Sequence, residues 1–197
     1  MSGWAAPNPG LRAVLWDFGG VFTESPFRAF ARFERGQITL AEFSEAFEEE
    51  SRTLGHPVRG EDVIALLYGE VRPAMVAALR RCKAHFLNAC LTNNVKTGSG
   101  HGLPTSEARA GEVTQILSLF DLVIESSLVG ARKPEPRFYQ IALERLEIAP
   151  RQAVYLDDLG INLKPARALG MTTIKVDSPQ QALGELEAVL NIPLLDQ

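Results

Sequence analysis

Short apolar runs, each closing on polar or glycine-rich residues, recur along the chain at 13–16, 86–91, 122–124 and 153–156, and a fifth follows at 171–176. The segments between them carry a helical period. Residues 136–146 place Phe138, Ile141, Ala142 and Leu146 on one face, and 161–169 stops at Gly170 with Pro165 near its first turn. Strands alternating with helices predict an α/β fold, a parallel sheet covered on both faces.

The stretch 23–72 breaks this alternation, having helical patterns and no convincing strand. It reads as a small helical cap inserted after the first strand, which leaves 1–22 and 73–197 as the core. Within the cap, Thr39-Leu-Ala-Glu42 is a capping-box signature for a helix that turns Phe43, Ala46 and Phe47 inward. Glu45, Glu48, Glu49 and Glu50 then form its solvated face rather than an acidic binding site. Pro73 suits the first position of the helix that returns to the core. No internal repeat and no long linker divides the chain.

The 197 residues are 46% hydrophobic and 22% charged with net charge −4, which is the profile of one globular domain rather than a fibrous, disulfide-built or disordered chain. No apolar run is long enough to span a membrane, and the opening residues lack the basic and apolar segments of a secretion signal, so a cytoplasmic location is expected. Cys82 and Cys90 are expected to be free buried thiols. The acidic balance speaks against nucleic acid as a partner. Beyond 93 the pattern fades into loop chemistry as far as Glu112, with Gly98, Gly100 and Gly102 in a G-x-G-x-G spacing. That spacing follows the second strand, not the first, so it reads as a mobile loop with an exposed His101 rather than a dinucleotide site.

In an open parallel sheet the residues just past each strand face the ligand. Here these are Asp17-Phe-Gly-Gly-Val21, Thr92-Asn93-Asn94, the segment reaching Lys133-Pro-Glu-Pro136, and Asp157-Asp158. Singly they have plain explanations: Asp17 as a turn former, Thr92 as a helix cap, Lys133 as a surface charge. Together and in this order they suit a phosphate ester. A carboxylate attacks phosphorus only where anionic repulsion is cancelled, which calls for a divalent metal on hard oxygen ligands and a fixed cation. Asp17, Asp157 and Asp158 supply the ligands and Lys133 the cation, while Thr92 and the backbone N–H groups near Gly19 and Gly20 suit phosphoryl oxygens.

In these four motifs the chain resembles the haloacid dehalogenase superfamily. The stretches 120–136 and 155–171 are especially similar to the N-terminal phosphatase domain of soluble epoxide hydrolases and its free-standing bacterial relatives. The resemblance implies a Rossmann-like three-layer core and Mg²⁺-dependent hydrolysis of a small-molecule phosphate ester through an aspartyl-phosphate. It assigns Asp17 as nucleophile and metal ligand, and Thr92 and Asn93 as phosphate-binding residues. Lys133 steadies nucleophile and phosphate, Asp158 is the direct metal ligand with Asp157 behind it, and Asn162 is a supporting residue. No hydrolase domain for epoxides accompanies these motifs, and both monomer and homodimer stay open.

Two departures qualify this implication. The family's phosphatases carry a second aspartate two residues after the nucleophile, as general acid and base; here Gly19 stands there, keeping only the backbone carbonyl that ligates the metal. Activity is then expected to be weak on alkyl phosphates and better on acyl, anomeric or aryl phosphates. The cap is also short, which opens the site to larger ligands or, if Phe27, Phe30 and Phe33 are exposed, favours self-association. A non-catalytic phosphate-ester binding or regulatory module is the alternative. A dehalogenase would share the missing aspartate but needs no metal, which leaves the Asp157-Asp158 pair unexplained.

Overall fold

Every residue of β1 (Ala13–Trp16) is fully buried, with Val14 and Trp16 in the core on one face of the sheet and Ala13 and Leu15 in the core on the other. A strand apolar on both faces belongs at the centre of a covered parallel sheet. The computed structural model, which describes residues 6–18, 21–22, 40–53, 55, 57–58, 71–93, 96–97, 100–101 and 107–195, places it there. After β1 come α1 (Leu40–Thr53), α2 (Pro73–Cys82), β2 (Leu87–Thr92), a two-strand hairpin of Lys96–Thr97 with Gly100–His101, and α3 (Glu107–Leu117). The chain continues through β3 (Leu122–Glu125), α4 (Pro136–Leu146), β4 (Ala153–Asp157), α5 (Gly160–Leu169), β5 (Thr172–Lys175) and α6 (Pro179–Leu190).

The sheet runs β3-β2-β1-β4-β5, all parallel. Helices α2 and α6 cover one face through Met75, Leu79, Leu183 and Leu186, and α4 and α5 cover the other through Phe138, Ala142, Leu163 and Ala166. This is the expected three-layer, Rossmann-like α/β fold. The strands differ from the sequence reading at their ends. Thr92, Glu125 and Asp157 belong to the ladder, because Thr92 pairs with Glu125 and Asp157 with Lys175. Pro165 lies inside α5 rather than in its first turn, and α3 begins within the stretch read as a loop to Glu112.

In α1, Phe43 is buried with its ring 5.7 Å from that of Phe47. Glu45 and Glu49 are exposed, and Arg52 pairs with Glu49 and, at 3.0 Å, with Glu48, so this is a solvated face as expected. Thr39 of the capping box, Phe27, Phe30, Phe33, the side chains of Ala46 and Glu50, and most of 23–72 lie outside the described residues. Cys82 and Cys90 are free and buried. Among the described residues no helix is long and apolar enough to cross a membrane.

Candidate active site

The strand order reverses between β1 and β4, and a parallel sheet opens a crevice at the carboxyl ends of such a pair. Asp17 stands immediately after β1, its N–H donating to the Leu156 carbonyl at 2.8 Å and its Oδ1 accepting from the Phe18 N–H at 2.7 Å. Lys133, only 2% exposed, comes in from the segment after β3. Its Nζ lies 2.5 Å from Asp17 Oδ1 and 3.1 Å from Asp157 Oδ2, so one ammonium bridges the ends of β1 and β4. Asp157 closes β4 with no exposed surface, and the half-buried Asp158 follows it. Asp17, Asp157 and Asp158 each offer a carboxylate oxygen, and these atoms lie within 4.8 Å of one another.

Asp157 is surrounded by donors. Its Oδ1 accepts from the Leu159 N–H at 2.8 Å and from Asn162 Nδ2 at 3.0 Å. Its Oδ2 accepts from Lys133 Nζ, from Asn162 Nδ2 at 3.1 Å and from the Tyr155 hydroxyl. Tyr139 completes the cluster: its hydroxyl donates to the Asn162 carbonyl at 2.7 Å and its ring meets that of Tyr155 edge-on at 5.5 Å. A buried carboxylate with this many donors is held in one orientation.

The buried charges act on one another. Burial raises the Asp17 carboxyl well above the usual carboxylate range; Lys133 opposes this, while Asp157 and Asp158 add to it. For Lys133, burial works against the charge, but Asp157 and Asp17 outweigh it and hold the ammonium protonated far into alkaline pH. Three carboxyl groups with oxygens within 4.8 Å of one another, two of them on this ammonium, gather hard oxygen donors of the kind that suits a divalent cation such as Mg²⁺.

Of the remaining candidates, Thr92 sits half-buried at the end of β2, its hydroxyl donating to the Asn93 carbonyl over a long 3.4 Å. Asn93 has its amide engaged with the backbone of Lys133 at both ends, Nδ2 donating to the carbonyl at 3.1 Å and Oδ1 accepting from the N–H at 2.9 Å. Asn162 supports Asp157, in line with its motif position. Gly19 and Gly20 lie outside the described residues, as does the side chain of His101. Sequence reasoning missed Tyr155 and Tyr139. Tyr155 was within reach, because a residue two before Asp157 on a strand shares its face.

The model of the haloacid dehalogenase-like hydrolases matches residues 11–170. Mouse acyl-CoA dehydrogenase family member 10 is 37% identical over 211 residues, covering 98% of this chain and 19% of its own. Mouse bifunctional epoxide hydrolase 2 is 32% identical over 183 residues, covering 87% of this chain and 32% of its own. The chain therefore spans about a fifth to a third of these relatives' length. A haloacid dehalogenase family enzyme of Bacteroides thetaiotaomicron, solved with magnesium and inorganic phosphate, shares the fold with a TM-score of 0.58 at 20% identity, over 84% of this chain and 93% of that one. The resemblance carried by the four motifs is borne out.

Proposed function

The chain belongs to the haloacid dehalogenase-like hydrolases, and from that membership and its site we propose that it is a Mg²⁺-dependent phosphoric monoester hydrolase. The observation that carries this reading is the Lys133 ammonium bridging Asp17 at 2.5 Å and Asp157 at 3.1 Å in the crevice between β1 and β4. A carboxylate oxygen of Asp17 bonds to phosphorus as the ester P–O bond breaks, leaving an aspartyl-phosphate and a departing oxygen that takes up a proton. Water then attacks the phosphorus of this acyl phosphate, which restores the Asp17 carboxylate and releases inorganic phosphate.

Lys133 fixes the attacking carboxylate and places a positive charge beside the phosphoryl oxygens. The hydroxyl of Thr92 and the backbone at Asn93 meet the remaining phosphoryl oxygens. Mg²⁺ would be held by Asp17, Asp158 and the Gly19 carbonyl, with Asp157 behind them, since five hydrogen bonds already occupy its oxygens. When bound, the metal neutralises the repulsion between an anionic nucleophile and an anionic phosphate. Support also comes from the B. thetaiotaomicron enzyme, which holds magnesium and phosphate on the same fold.

Gly19 offers no proton to the leaving oxygen, and general acid–base help is worth about 10²- to 10⁴-fold. The substrate is therefore a small phosphate ester with a good leaving group: acyl, anomeric or aryl. The test is hydrolysis of para-nitrophenyl phosphate with and without Mg²⁺. Turnover that requires the metal, is lost in Asp17→Asn and rises in Gly19→Asp is the expected result. Gly19 also favours a second reading, a module that binds phosphate esters without cleaving them. A folded wild type that binds Mg²⁺ and phosphate but turns nothing over would select it.

A further inference from the structure

Asn93 lies one residue beyond β2, and its partner Lys133 lies 40 positions later, in the segment that follows the neighbouring strand β3. The two residues close a ring of two hydrogen bonds, Asn93 Nδ2 to the Lys133 carbonyl at 3.1 Å and the Lys133 N–H to Asn93 Oδ1 at 2.9 Å. In such a reciprocal pair a primary amide uses one donor and its acceptor on the N–H and C=O of a single residue, and its plane and rotamer are set by that residue's main chain. A phosphoryl oxygen offers only lone pairs, so Asn93 Oδ1 has nothing to give it; one Nδ2 hydrogen is committed to the Lys133 carbonyl, and the other points away from that ring in a direction the amide cannot change without breaking the pair.

The consequence falls on Lys133. A lysine carries its charge at the end of four rotatable bonds, and that freedom is removed only where both ends are held. Asp17 and Asp157 hold the ammonium; Asn93 holds the main chain from which the side chain starts. We infer that Asn93 is a positioning residue that acts through Lys133, and that its side chain is not a phosphate ligand. The inference rests on the reading of Lys133 as the cation of the hydrolytic site.

Two measurements on the full chain decide it. The first follows exchange of the Lys133 backbone amide by ¹⁵N NMR. Asn93→Ala should speed that exchange by about 10-fold or more while amides of β1 and β4 keep their protection, and Asn93→Asp, which retains an acceptor for the N–H, should restore slow exchange. Unchanged exchange in Asn93→Ala overturns the clamp, whether or not the protein hydrolyses anything. The second compares Asn93→Ala, Lys133→Ala and the double variant for turnover of para-nitrophenyl phosphate and for binding of inorganic phosphate, both with Mg²⁺. Asn93→Ala should lower kcat by about 10-fold or more, yet weaken phosphate binding by less than about 2-fold once Lys133 is gone. An equal loss of phosphate affinity with and without Lys133 would show a direct side-chain ligand and overturn the inference. Wild type without Mg²⁺-dependent turnover sinks the hydrolase reading instead, and the exchange measurement still decides the clamp.

Discussion

Tyr155 illustrates how much of this site depends on residues that do no chemistry. Its hydroxyl is one of the donors on Asp157, and Asp157 in turn holds Lys133 against Asp17. Tyr155→Phe keeps the ring contact with Tyr139 and removes one donor while the others stay. The expected cost is about 1 kcal/mol in urea unfolding, the ordinary net value of one hydrogen bond. Asp157→Ala removes the hub itself and leaves Lys133, Asn162 and Tyr155 facing an empty position. There the loss should reach about 3–5 kcal/mol by the same measurement, as for a broken buried ion pair. A smaller loss for Asp157→Ala than for Tyr155→Phe would refute this order of dependence. The residue scale also divides what the chain's letters disclose. Asp17, Lys133 and Asp157 were legible because position at or beyond the carboxyl end of a strand and chemical type coincide. The task of Asn93 was not, because a two-bond amide pair across 40 positions leaves no local pattern.

Among elements, legibility follows the strength of the apolar pattern. β1 and β4 are buried at every position and stood out, whereas α3 did not: Gly111, Glu112, Thr114 and Gln115 are exposed and Ile116 is its buried residue among the described side chains. β2 hides a polar residue where the run looked apolar, since Asn88 is fully buried. Its Oδ1 accepts from Trp16 Nε1 at 3.1 Å, which couples β2 to the residue preceding Asp17, and its Nδ2 donates to the Phe86 carbonyl at 2.9 Å. Asn88→Ala orphans the indole N–H in the core, and calorimetry or urea titration should register about 1–3 kcal/mol. Helix α6 starts with a capping box in which Ser178 Oγ accepts from the Gln181 N–H at 3.2 Å and Gln181 Oε1 accepts from the Ser178 N–H at 3.4 Å. Ser178→Ala should cost about 1 kcal/mol and leave turnover per folded molecule unchanged.

For the whole molecule, burial decides the response to alkali. It pushes the Cys82 thiol up to about 12 and raises Cys90, Tyr139 and Tyr155 as well. Unfolded thiols and phenols release their protons near about 8.5 and 10, so above those values the folded chain binds more protons than the unfolded one and stability falls as pH rises. Lys133, also raised, acts with the same sign, its stabilisation complete below the unfolded lysine value and lost above it. The urea midpoint should hold steady between about pH 7 and 8 and drop between about 9 and 11, with both thiols silent to a thiol reagent until unfolding; a flat profile would contradict the burial. The sheet order has one more consequence, for the sequence in which the molecule is made. β1 leaves the ribosome before either of its neighbours, since the strand on one of its sides starts at Leu87 and the strand on the other at Ala153. A nascent chain ending before Ala153 therefore presents a wholly apolar strand as an open edge, with Asp17 lacking its neighbour at Asp157. Synthesis halted there should yield a species that recruits chaperones or aggregates, and the arrival of the strand at Ala153 is what closes the hazard.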